Sequence, residues 1–284
     1  SRPERQRPRR LKASVTAGFR ILDEGAFDGA SNMARDEALL DGYGADGADR
    51  PPTVRLYAWS PPALSLGRRQ PAIGSHDPAF LASQGIDLVR RPTGGRAVLH
   101  EHELTYAVVG ALGTAAFPGG VLDTYRRISG AFESALRSLG VDAVAVSPGR
   151  EGGSDPGPFG PPACFDRAGT YEIAVQGRKL LGSAQLRRRK AFLQHGSILL
   201  RADPLRLARA VGLRVVPERL ADLETVLGRE PDALRLRAAI VASFEAALGG
   251  PAAPGTLSDA EAERAAVLRR AKYATEAWTL HGKE

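Results

Sequence analysis

The sequence predicts a mixed α/β (α+β) fold, and two observations support this prediction. Short runs with the alternating or concentrated apolar residues of strands are interspersed with longer runs whose apolar residues recur every three or four positions, as in helices. The chain has 284 residues, of which 43% are hydrophobic, so it can bury one sizeable core. We therefore expect a single domain over residues 19–284 with a helical C-terminal part, preceded by a disordered basic tail over residues 1–18.

The composition narrows the classes of partner and location. A net charge of +7 and a pI near 9.9 indicate acidic partners, such as nucleic acid or a small acidic carrier protein. Much of the positive excess lies in the opening SRPERQRPRRLK. No apolar run approaches the roughly 20 residues that span a bilayer, and the N-terminus lacks the apolar stretch of a signal peptide. The single cysteine cannot form an internal disulfide, which is typical of the reducing cytoplasm.

The first part of the chain is predicted to alternate strands and helices. After a short N-terminal strand, we expect a helix whose N-cap is Ser31 or Asn32. Its inward-facing residues are predicted to be Met33, Ala34, Ala38 and Leu39. The pair Asp77-Pro78 opens a short helix that ends near residue 85. Further strands are predicted over residues 54–59, 63–67, 86–90 and 103–110.

The clearest helix covers residues 121–140 and ends at Gly140. The apolar residues of this helix form one stripe, which is expected to face the core: Leu122, Tyr125, Ile128, Phe132, Ala135, Leu136 and Leu139. A strand, VDAVAVS, follows, and residues 149–163 then form a Gly/Pro-rich loop that is either a mobile lid or a disordered insertion. Three helical segments opened by Asp or Ser come after residue 200: DPLRLARAVGL, PDALRLRAAIVASFEAALGG and SDAEAERAAVLRRAKYATEAW.

A β-hairpin is predicted just before residue 180. Gln176-Gly177 has the sequence of a two-residue turn in which the glycine supplies a positive φ. A turn of this length pairs Ala174 with Lys179 and places Lys179 on the same face as Glu172. The apolar residues of the first strand lie on the opposite face.

Three residues around this hairpin indicate a chemically reactive cysteine. Cys164 follows the flexible loop, Lys179 lies on the hairpin, and His195 lies on the next strand. A nearby cation favours thiolate over thiol, and an imidazole can shuttle protons or orient a carbonyl. Each residue also has a simpler explanation: a small buried hydrophobe, a solvated hairpin charge and a hydrogen-bonded core histidine. The run RRRK over residues 187–190 is either a solvated turn or a binding site for an acidic carrier protein.

The segment RRPTGGRAVLH forms a glycine-rich turn between two strands. Its glycines let the polar head of a ligand approach the backbone, where N–H groups are available to an oxygen. The alternative is an ordinary hairpin turn with surface arginines. His100 and His102 share this region, but no further Cys or His completes a metal site. No phosphate-binding loop and no dinucleotide fingerprint is present.

Four ordered motifs give the chain a specific resemblance. SNMARDEALL, RRPTGGRAVLHEHELTYAVV, GRKLLGSAQLRRRKAFLQHGSILL and KYATEAW resemble the signatures of the lipoate/octanoate transferase and ligase family. The resemblance covers residues 19–278. It implies the catalytic fold shared with biotin protein ligases and related to class II aminoacyl-tRNA synthetases, with a mixed central sheet flanked by helices.

The details resemble the cysteine-dependent octanoyltransferases of that family. The resemblance implies that Cys164 takes octanoyl from acyl carrier protein as a thioester and that Lys179 lowers its pKa. The acyl group then passes to a lysine of an apo lipoyl domain, such as the glycine cleavage H protein. No cofactor, nucleic acid or membrane is required, and a cytoplasmic monomer is expected. The expected substrate-binding residues are Arg91, Thr93, Gly94, Gly95, Arg96, Ala97, His100, Gly182, Ser183, Ala184 and His195.

Other functions stay open at this point. An ATP-dependent lipoate–protein ligase would release pyrophosphate and would not need Cys164. An amidotransferase would move octanoyl or lipoyl groups between protein lysines. A non-catalytic module would bind a lipoyl domain without turnover.

Overall fold

The computed structural model of the protein describes residues 18–43, 50–146, 172–213 and 220–283. The strands are β1 (Phe19–Phe27), β2 (Thr53–Trp59), β3 (Ala63–Leu66), β4 (Asp87–Arg90), β5 (Val98–His100), β6 (Glu103–Ala111), β7 (Val144–Val146), β8 (Glu172–Val175), β9 (Arg178–Arg187), β10 (Ala191–Leu199) and β11 (Ala252–Pro254). The helices are α1 (Gly29–Asp41), α2 (Pro78–Ser83), α3 (Val121–Ser138), α4 (Pro204–Ala210), α5 (Leu223–Leu227), α6 (Ala233–Leu248), α7 (Asp259–Leu268) and α8 (Glu276–His281), with a π-helical turn at Arg269–Tyr273.

The described strands form two sheets. The central sheet has the strand order β11-β1-β2-β6-β10-β9-β8-β7, and the smaller sheet has the order β4-β3-β5. In the central sheet, β1 runs parallel to β2 and β11. All other neighbouring pairs, from β2–β6 across to β8–β7, are antiparallel. The predicted mixed sheet is therefore confirmed. Among the described helices, none is both long and apolar enough to cross a bilayer.

Helices cover both faces of the central sheet. On one face, α3 and α6 pack together, with the rings of Phe132 and Phe244 in an edge-to-face contact at 5.2 Å. On the other face lie α1, α7 and α8, whose apolar residues bury a second core. Because side chains alternate along a strand, Tyr106 of β6 joins the first core and Ala107 joins the second. The predicted site residues Lys179 and His195 lie on the second face, which we call the α1 face.

The small sheet stands beside the central one and carries the glycine-rich turn. β3 pairs in parallel with β4 and antiparallel with β5, and residues 91–97 connect β4 to β5. Its apolar side chains pack with those of α2 and α4 in a third core. Arg90, at the end of β4, is buried and donates to the carbonyls of Gly67 (2.7 Å) and Trp278 (3.0 Å). The C-terminal KYATEAW motif is thereby tied to the small sheet.

Most of the predicted elements are confirmed, but the start of α1 is not. The N-cap is Asp28, whose carboxylate accepts from the Ser31 backbone N–H at 2.8 Å. The side chain of Asn32 instead donates to the carbonyls of Phe27 and Ala58. The expected N-cap at Ser31 or Asn32 is wrong because an equally good capping carboxylate stands three residues earlier. The predicted inward residues of this helix are all buried, namely Met33, Ala34, Ala38 and Leu39.

Two other differences concern Leu122 and the strand β11. Leu122, expected in the core, is 47% exposed and lies in the first turn of α3. The rest of the stripe is buried or half-buried, as expected. Strand β11 was not predicted, because its PAAP sequence suggests a loop. It lies at the sheet edge, where a proline is tolerated.

The predicted hairpin is confirmed in its turn and register. Gln176 and Gly177 have φ angles of +51° and +73°, which form the left-handed two-residue turn. Ala174 pairs with Lys179 as expected. The pairing then shifts by one residue, so the hairpin contains a β-bulge one step beyond Lys179.

The bulge determines which side chains share a face. Leu180 and Leu181 both pack into the core beneath α3. Lys179 and Gly182 consequently share the opposite α1 face, although they are three residues apart. Bulges commonly re-aim a side chain in this manner next to an active site.

Candidate active site

A cleft opens on the α1 face, between the central sheet and the small sheet. Its volume is about 460 Å³, including the space that opens to solvent. Met33, Tyr57 and Trp59 supply an apolar side, and polar groups from β5, β9 and β10 supply the other. A larger open groove lies between α3 and α6 on the other face, but no predicted site residue lines it. The cleft is therefore the candidate active site.

Lys179 lies in this cleft in a buried ion pair. It is only 2% exposed, and its ammonium group contacts the carboxylate of Glu172, which is also buried. The alternative of a solvated charge at the end of the hairpin is thus excluded. A buried charge is tolerated only when it is paired and hydrogen-bonded. The pair therefore fixes where the positive charge lies in the cleft.

His195 projects into the cleft from β10 and is held at both ring nitrogens. Its Nδ1 lies 2.9 Å from Asp36 Oδ2, and its Nε2 lies 2.6 Å from Thr93 Oγ1. An ionised carboxylate can only accept, so Nδ1 carries the proton and Nε2 accepts from the Thr93 hydroxyl. Three elements distant in sequence, α1, the glycine-rich turn and β10, thus meet at one imidazole.

Asp36 is the fully buried centre of this network. Its Oδ1 accepts from Arg55 at 2.7 Å, and its Oδ2 accepts from the Tyr57 hydroxyl at 2.9 Å. Burial by itself would raise the pKa of Asp36, but the hydrogen bond from His195 and the charge of Arg55 together lower it. Asp36 is therefore a carboxylate at neutral pH.

The same surroundings keep His195 neutral. Burial lowers the pKa of His195, while the hydrogen bond and charge of Asp36 oppose that shift. The nearby charge of Arg91 and His100 adds to the lowering. A neutral imidazole at pH 7 has an accepting Nε2, which is the form required of a general base.

A second imidazole, His100, is held in a similar way on the small-sheet side. Its Nε2 lies 2.7 Å from Ser65 Oγ and its Nδ1 lies 2.8 Å from Glu103 Oε1. Its ring stacks on Trp59 at 4.0 Å between centroids. Glu103 also accepts from Ser197 at 2.7 Å. Its other oxygen, Oε2, is buried and has no hydrogen-bond partner within the part of the chain that the structure describes.

Arg91 braces the glycine-rich turn from inside. Its guanidinium donates to the carbonyls of Gly94 and Arg96, each at 2.7 Å, and to Ser65 Oγ at 3.0 Å. The alternative of surface arginines is wrong for this residue, which is buried. A Cβ on Gly67 would lie 1.9 Å from the Gly95 carbonyl oxygen, so only glycine lets the turn rest on the end of β3.

The β9 side of the cleft depends on close backbone packing. A Cβ on Gly196 of β10 would lie 2.2 Å from the Gly182 carbonyl oxygen. Ser183 is held by the Tyr106 hydroxyl at 2.7 Å. β8 pairs with β9 only as far as Leu181, and no described strand pairs with the remaining outer edge of β9. Gly182, Ser183 and Ala184 of this part of β9 border the cleft.

The structure brings together most of the predicted site residues. The cleft is lined by Arg91, His100, Lys179, Gly182, Ser183, Ala184 and His195. Thr93 does not line the cleft, but its hydroxyl is hydrogen-bonded to His195, which does. Four further residues of the turn do not line the cleft either, namely Gly94, Gly95, Arg96 and Ala97. Cys164 lies outside the described residues, as do the Gly/Pro-rich loop over residues 149–163 and residues 1–17 of the predicted tail. Within the described residues, no group of His, Cys, Asp and Glu is arranged to hold a metal.

Two acidic residues of the site were not predicted from the sequence. Asp36 and Glu103 hold the two cleft histidines, and both lie within stretches quoted for the resemblance. A signal for Asp36 was present, since it lies three residues after Met33 on the face of α1 that was expected to point inward. A charged residue on such a face indicates a buried polar network.

The sequence is similar to a known protein family and to several of its members. The family described as the lipoyl protein ligase A/B catalytic domain matches residues 28–245. Octanoyltransferase LipM of Kyrpidia tusciae is 40% identical over 270 residues, which cover 92% of this chain and 97% of that protein. Octanoyltransferase LipM of Symbiobacterium thermophilum is 41% identical over 277 residues, with coverage of 94% and 99%.

Solved structures show the same fold at lower sequence identity. Lipoate–protein ligase A bound with ATP superposes with a TM-score of 0.78 at 23% identity, covering 93% of this chain and 98% of that one. A bipartite lipoate–protein ligase of Thermoplasma acidophilum, described together with its E2 lipoyl domain, gives a TM-score of 0.77 at 22% identity, with coverage of 94% and 98%. The architecture expected from the sequence motifs is thus confirmed.

Proposed function

The chain belongs to the lipoyl protein ligase A/B catalytic-domain family, and we propose that it is an octanoyltransferase of lipoate biosynthesis that carries its acyl group on Cys164. The relatives of about 40% identity that match nearly its whole length are octanoyltransferases. The acyl donor is octanoyl acyl carrier protein, and the acceptor is a lysine of an apo lipoyl domain, such as the glycine cleavage H protein. No nucleotide or metal cofactor is required.

The observation that carries the chemistry is the buried Lys179 ammonium in the cleft. Its partner Glu172 follows Cys164 by eight residues in the sequence. A cation beside a cysteine favours the thiolate, which is the nucleophilic form. The cleft also has an apolar side formed by Met33 and Trp59, which provides an apolar surface for an acyl chain.

In the first half-reaction, the Cys164 thiolate attacks the carbonyl carbon of the donor thioester. A C–S bond to Cys164 forms, the C–S bond to the carrier breaks, and the carrier leaves as its own thiolate. Exchange between two thioesters is nearly balanced in free energy, so no ATP is needed. The oxyanion would be stabilised by Lys179 and by backbone N–H groups of the Ser183-Ala184 segment.

In the second half-reaction, the acceptor amine attacks the acyl-Cys164 carbonyl. A C–N bond forms, the C–S bond breaks, and Cys164 is released to begin another cycle. The excess positive charge of the protein supports an acidic donor protein, because opposite charges steer association.

The test is a transfer assay with purified octanoyl carrier protein and an apo lipoyl domain, without ATP. We expect octanoylation of the lipoyl domain lysine by the wild-type protein and none by Cys164→Ala. An ATP-dependent ligase would instead consume free lipoate, release pyrophosphate and tolerate Cys164→Ser. An amidotransferase would accept an octanoyl lipoyl domain as donor in preference to the carrier protein. Binding of the lipoyl domain without any turnover would identify a non-catalytic module.

A further inference from the structure

Two residues of the sequence motifs meet outside the cleft. Arg90, at the end of β4, opens the RRPTGGRAVLH segment, and Trp278, in α8, ends the KYATEAW motif. Neither side chain lines the cleft, and both are almost fully buried. The Trp278 indole N–H donates to the Arg90 carbonyl at 2.8 Å. The C-terminal motif is therefore joined directly to the strand that leads into the glycine-rich turn.

Arg90 is a buried cation that is surrounded by backbone carbonyls. Its guanidinium donates to three carbonyls of α8, at 3.0–3.2 Å. It also donates to three carbonyls of the β3–α2 connection, those of Gly67 (2.7 Å), Arg68 (3.2 Å) and Gln70 (2.6 Å). Its neighbour in sequence, Arg91, binds the turn itself. The two arginines thus hold the turn and its surroundings from the same strand end.

The C-terminal end of α8 explains how a buried guanidinium is stabilised here. Carbonyls at the end of a helix lack partners within the helix and carry partial negative charge, which favours a nearby cation. Burial lowers the pKa of Arg90, but an arginine side chain stays charged at neutral pH. Within the described residues, Arg90 forms no ion pair with a carboxylate. Its bonds to α8 consequently fix the place of the β3–α2 connection relative to that helix.

The β3–α2 connection in turn holds the glycine-rich turn. The Arg68 backbone N–H donates to the Thr93 carbonyl at 2.8 Å. Gly67 lies so close to the Gly95 carbonyl oxygen that an added Cβ would be 1.9 Å from it. The Thr93 hydroxyl is hydrogen-bonded to His195, which lines the cleft. A continuous set of contacts therefore leads from α8 to the cleft wall.

The tip of the turn has little packing of its own. Gly94 and Gly95 are both exposed, and an added Cβ on Gly94 would meet no atom within 4 Å. Segments with few buried apolar contacts open easily unless hydrogen bonds hold them. The position of the turn therefore depends on the bonds that its neighbours supply.

We propose that Arg90 and Trp278 are positioning residues for the glycine-rich turn, and that the KYATEAW motif acts on the cleft through them. The helix α8 holds Arg90, Arg90 holds the β3–α2 connection, and this connection holds the turn. Loosening any of these contacts weakens substrate binding and leaves the bond-making groups unchanged. The inference rests on the proposed function and on the expectation that the turn binds the octanoyl donor.

Hydrogen–deuterium exchange tests the structural part of the inference. Arg90→Gln removes the charge and most of the donors. We expect the backbone amides of Arg68 and Gln70, which donate to the Thr93 and Gly67 carbonyls, to exchange about tenfold faster or more, because hydrogen bonds from charged groups are among the stronger ones. Mass spectrometry of peptides measures this rate, and peptides from α3 are expected to exchange as in wild type.

Steady-state kinetics of octanoyl transfer test the functional part. In Arg90→Gln, we expect the KM for octanoyl carrier protein to rise about tenfold and kcat to change less than about twofold, the pattern of lost binding without lost chemistry. Arg90→Lys, which retains a positive charge but has fewer donors, should lie between this variant and wild type. Trp278→Phe keeps an aromatic ring but loses the indole N–H, so it should shift KM in the same direction by a smaller factor.

Arg20→Gln is the matched control for general destabilisation. The Arg20 guanidinium binds both oxygens of Glu261 at 2.8 Å and joins β1 to α7. This variant also loses a part-buried guanidinium contact, but one that does not involve the turn or the cleft lining. We expect the wild-type KM and the wild-type exchange rate at Arg68.

The inference is overturned if Arg90→Gln and Arg20→Gln have the same KM, or if the Arg68 amide exchanges as slowly in Arg90→Gln as in wild type. Should Arg90→Gln fail to fold, Trp278→Phe is compared with Arg20→Gln by the same two criteria. A wild-type protein that transfers no octanoyl group would contradict the proposed function instead. The exchange rate at Arg68 still tests the positioning in that case, so the two failures are distinguishable.

Discussion

The Lys179 ammonium and the Glu172 carboxylate form a buried ion pair across the β8–β9 hairpin. The two residues share a face because a two-residue turn sets the register, and a bulge one step later returns Gly182 to the same face. The local backbone geometry therefore determines the position of the Lys179 ammonium group, which is buried and does not belong to a flexible surface side chain.

Breaking this pair should destabilise the protein. Glu172→Gln leaves a buried ammonium without its carboxylate, which costs about 3–5 kcal/mol of unfolding free energy in comparable buried pairs. Urea denaturation of wild type and variant measures this cost. The double variant Glu172→Gln/Lys179→Met, which removes both charges, should recover much of the loss. Equal stabilities of Glu172→Gln and wild type would show that the pair contributes nothing.

The same two residues should change the reactivity of Cys164 in opposite directions. Lys179→Met removes the cation that favours the thiolate, so we expect slower alkylation by iodoacetamide at pH 7. Glu172→Gln removes the opposing carboxylate, so we expect faster alkylation. Mass spectrometry of the alkylated protein gives both rates. A rate that is the same in Lys179→Met and wild type would remove Lys179 as the thiolate-stabilising group.

The close approach of β9 and β10 predicts that a side chain at Gly196 is destabilising, and Gly130 of α3 provides a matched control. Gly196→Ala places a methyl group against the Gly182 carbonyl oxygen and Tyr106, and overpacking of this kind costs about 1–3 kcal/mol. Gly130 of α3 has open space around a new Cβ, so Gly130→Ala should stabilise the protein by about 0.5–1 kcal/mol. Thermal unfolding of the two variants checks the contrast. The opposite order of melting temperatures would contradict the packing of the cleft wall.

The buried imidazole predicts how stability depends on pH. Because the pKa of His195 is lowered in the folded state, the unfolded chain binds a proton more readily below about pH 6.5, the ordinary value for histidine. Stability from the neutral ring is thus present above that pH and is lost as the pH falls below it. We expect His195→Asn to have a shallower decline in unfolding free energy between pH 7 and pH 5. Identical slopes in chemical denaturation would contradict this prediction.

Asp36 also makes the stability of the protein depend on pH, but at lower pH than His195. Its folded pKa is lowered by the hydrogen bond from His195 and the charge of Arg55, which together exceed the cost of burial. Its stabilising effect is therefore present above the ordinary aspartate value of about 3.9 and is lost as the pH falls through the lower folded value. This loss is expected to remain in His195→Asn, although it should be smaller.

Local sequence predicted the parts of the site that depend on neighbouring residues. The Gln176-Gly177 turn, the pairing of Ala174 with Lys179 and the shared face of Lys179 and Glu172 all follow from a two-residue hairpin. The family was likewise predicted from ordered motifs and is confirmed by the family match and by the similar proteins, which are octanoyltransferases.

The contacts that hold the cleft together depend on distant residues and were not predicted. His195 meets Asp36 across 159 positions of sequence, and it meets Thr93 across 102. Spacing within a motif carries no information about which carboxylate a histidine will meet. Such pairings become visible only once the order of strands in the sheet is known. The roles of the individual site residues stay predictions.

The most direct test of the central claim is the intact mass of the protein after mixing with octanoyl carrier protein alone, without ATP or an acceptor. A thioester at Cys164 adds about 126 Da, the mass of an octanoyl group in place of hydrogen. We expect this adduct in the wild-type protein, its removal by hydroxylamine, and its absence in Cys164→Ala. An adduct of the same mass in Cys164→Ala, or a wild-type protein that transfers octanoyl groups without ever carrying one, would contradict the account.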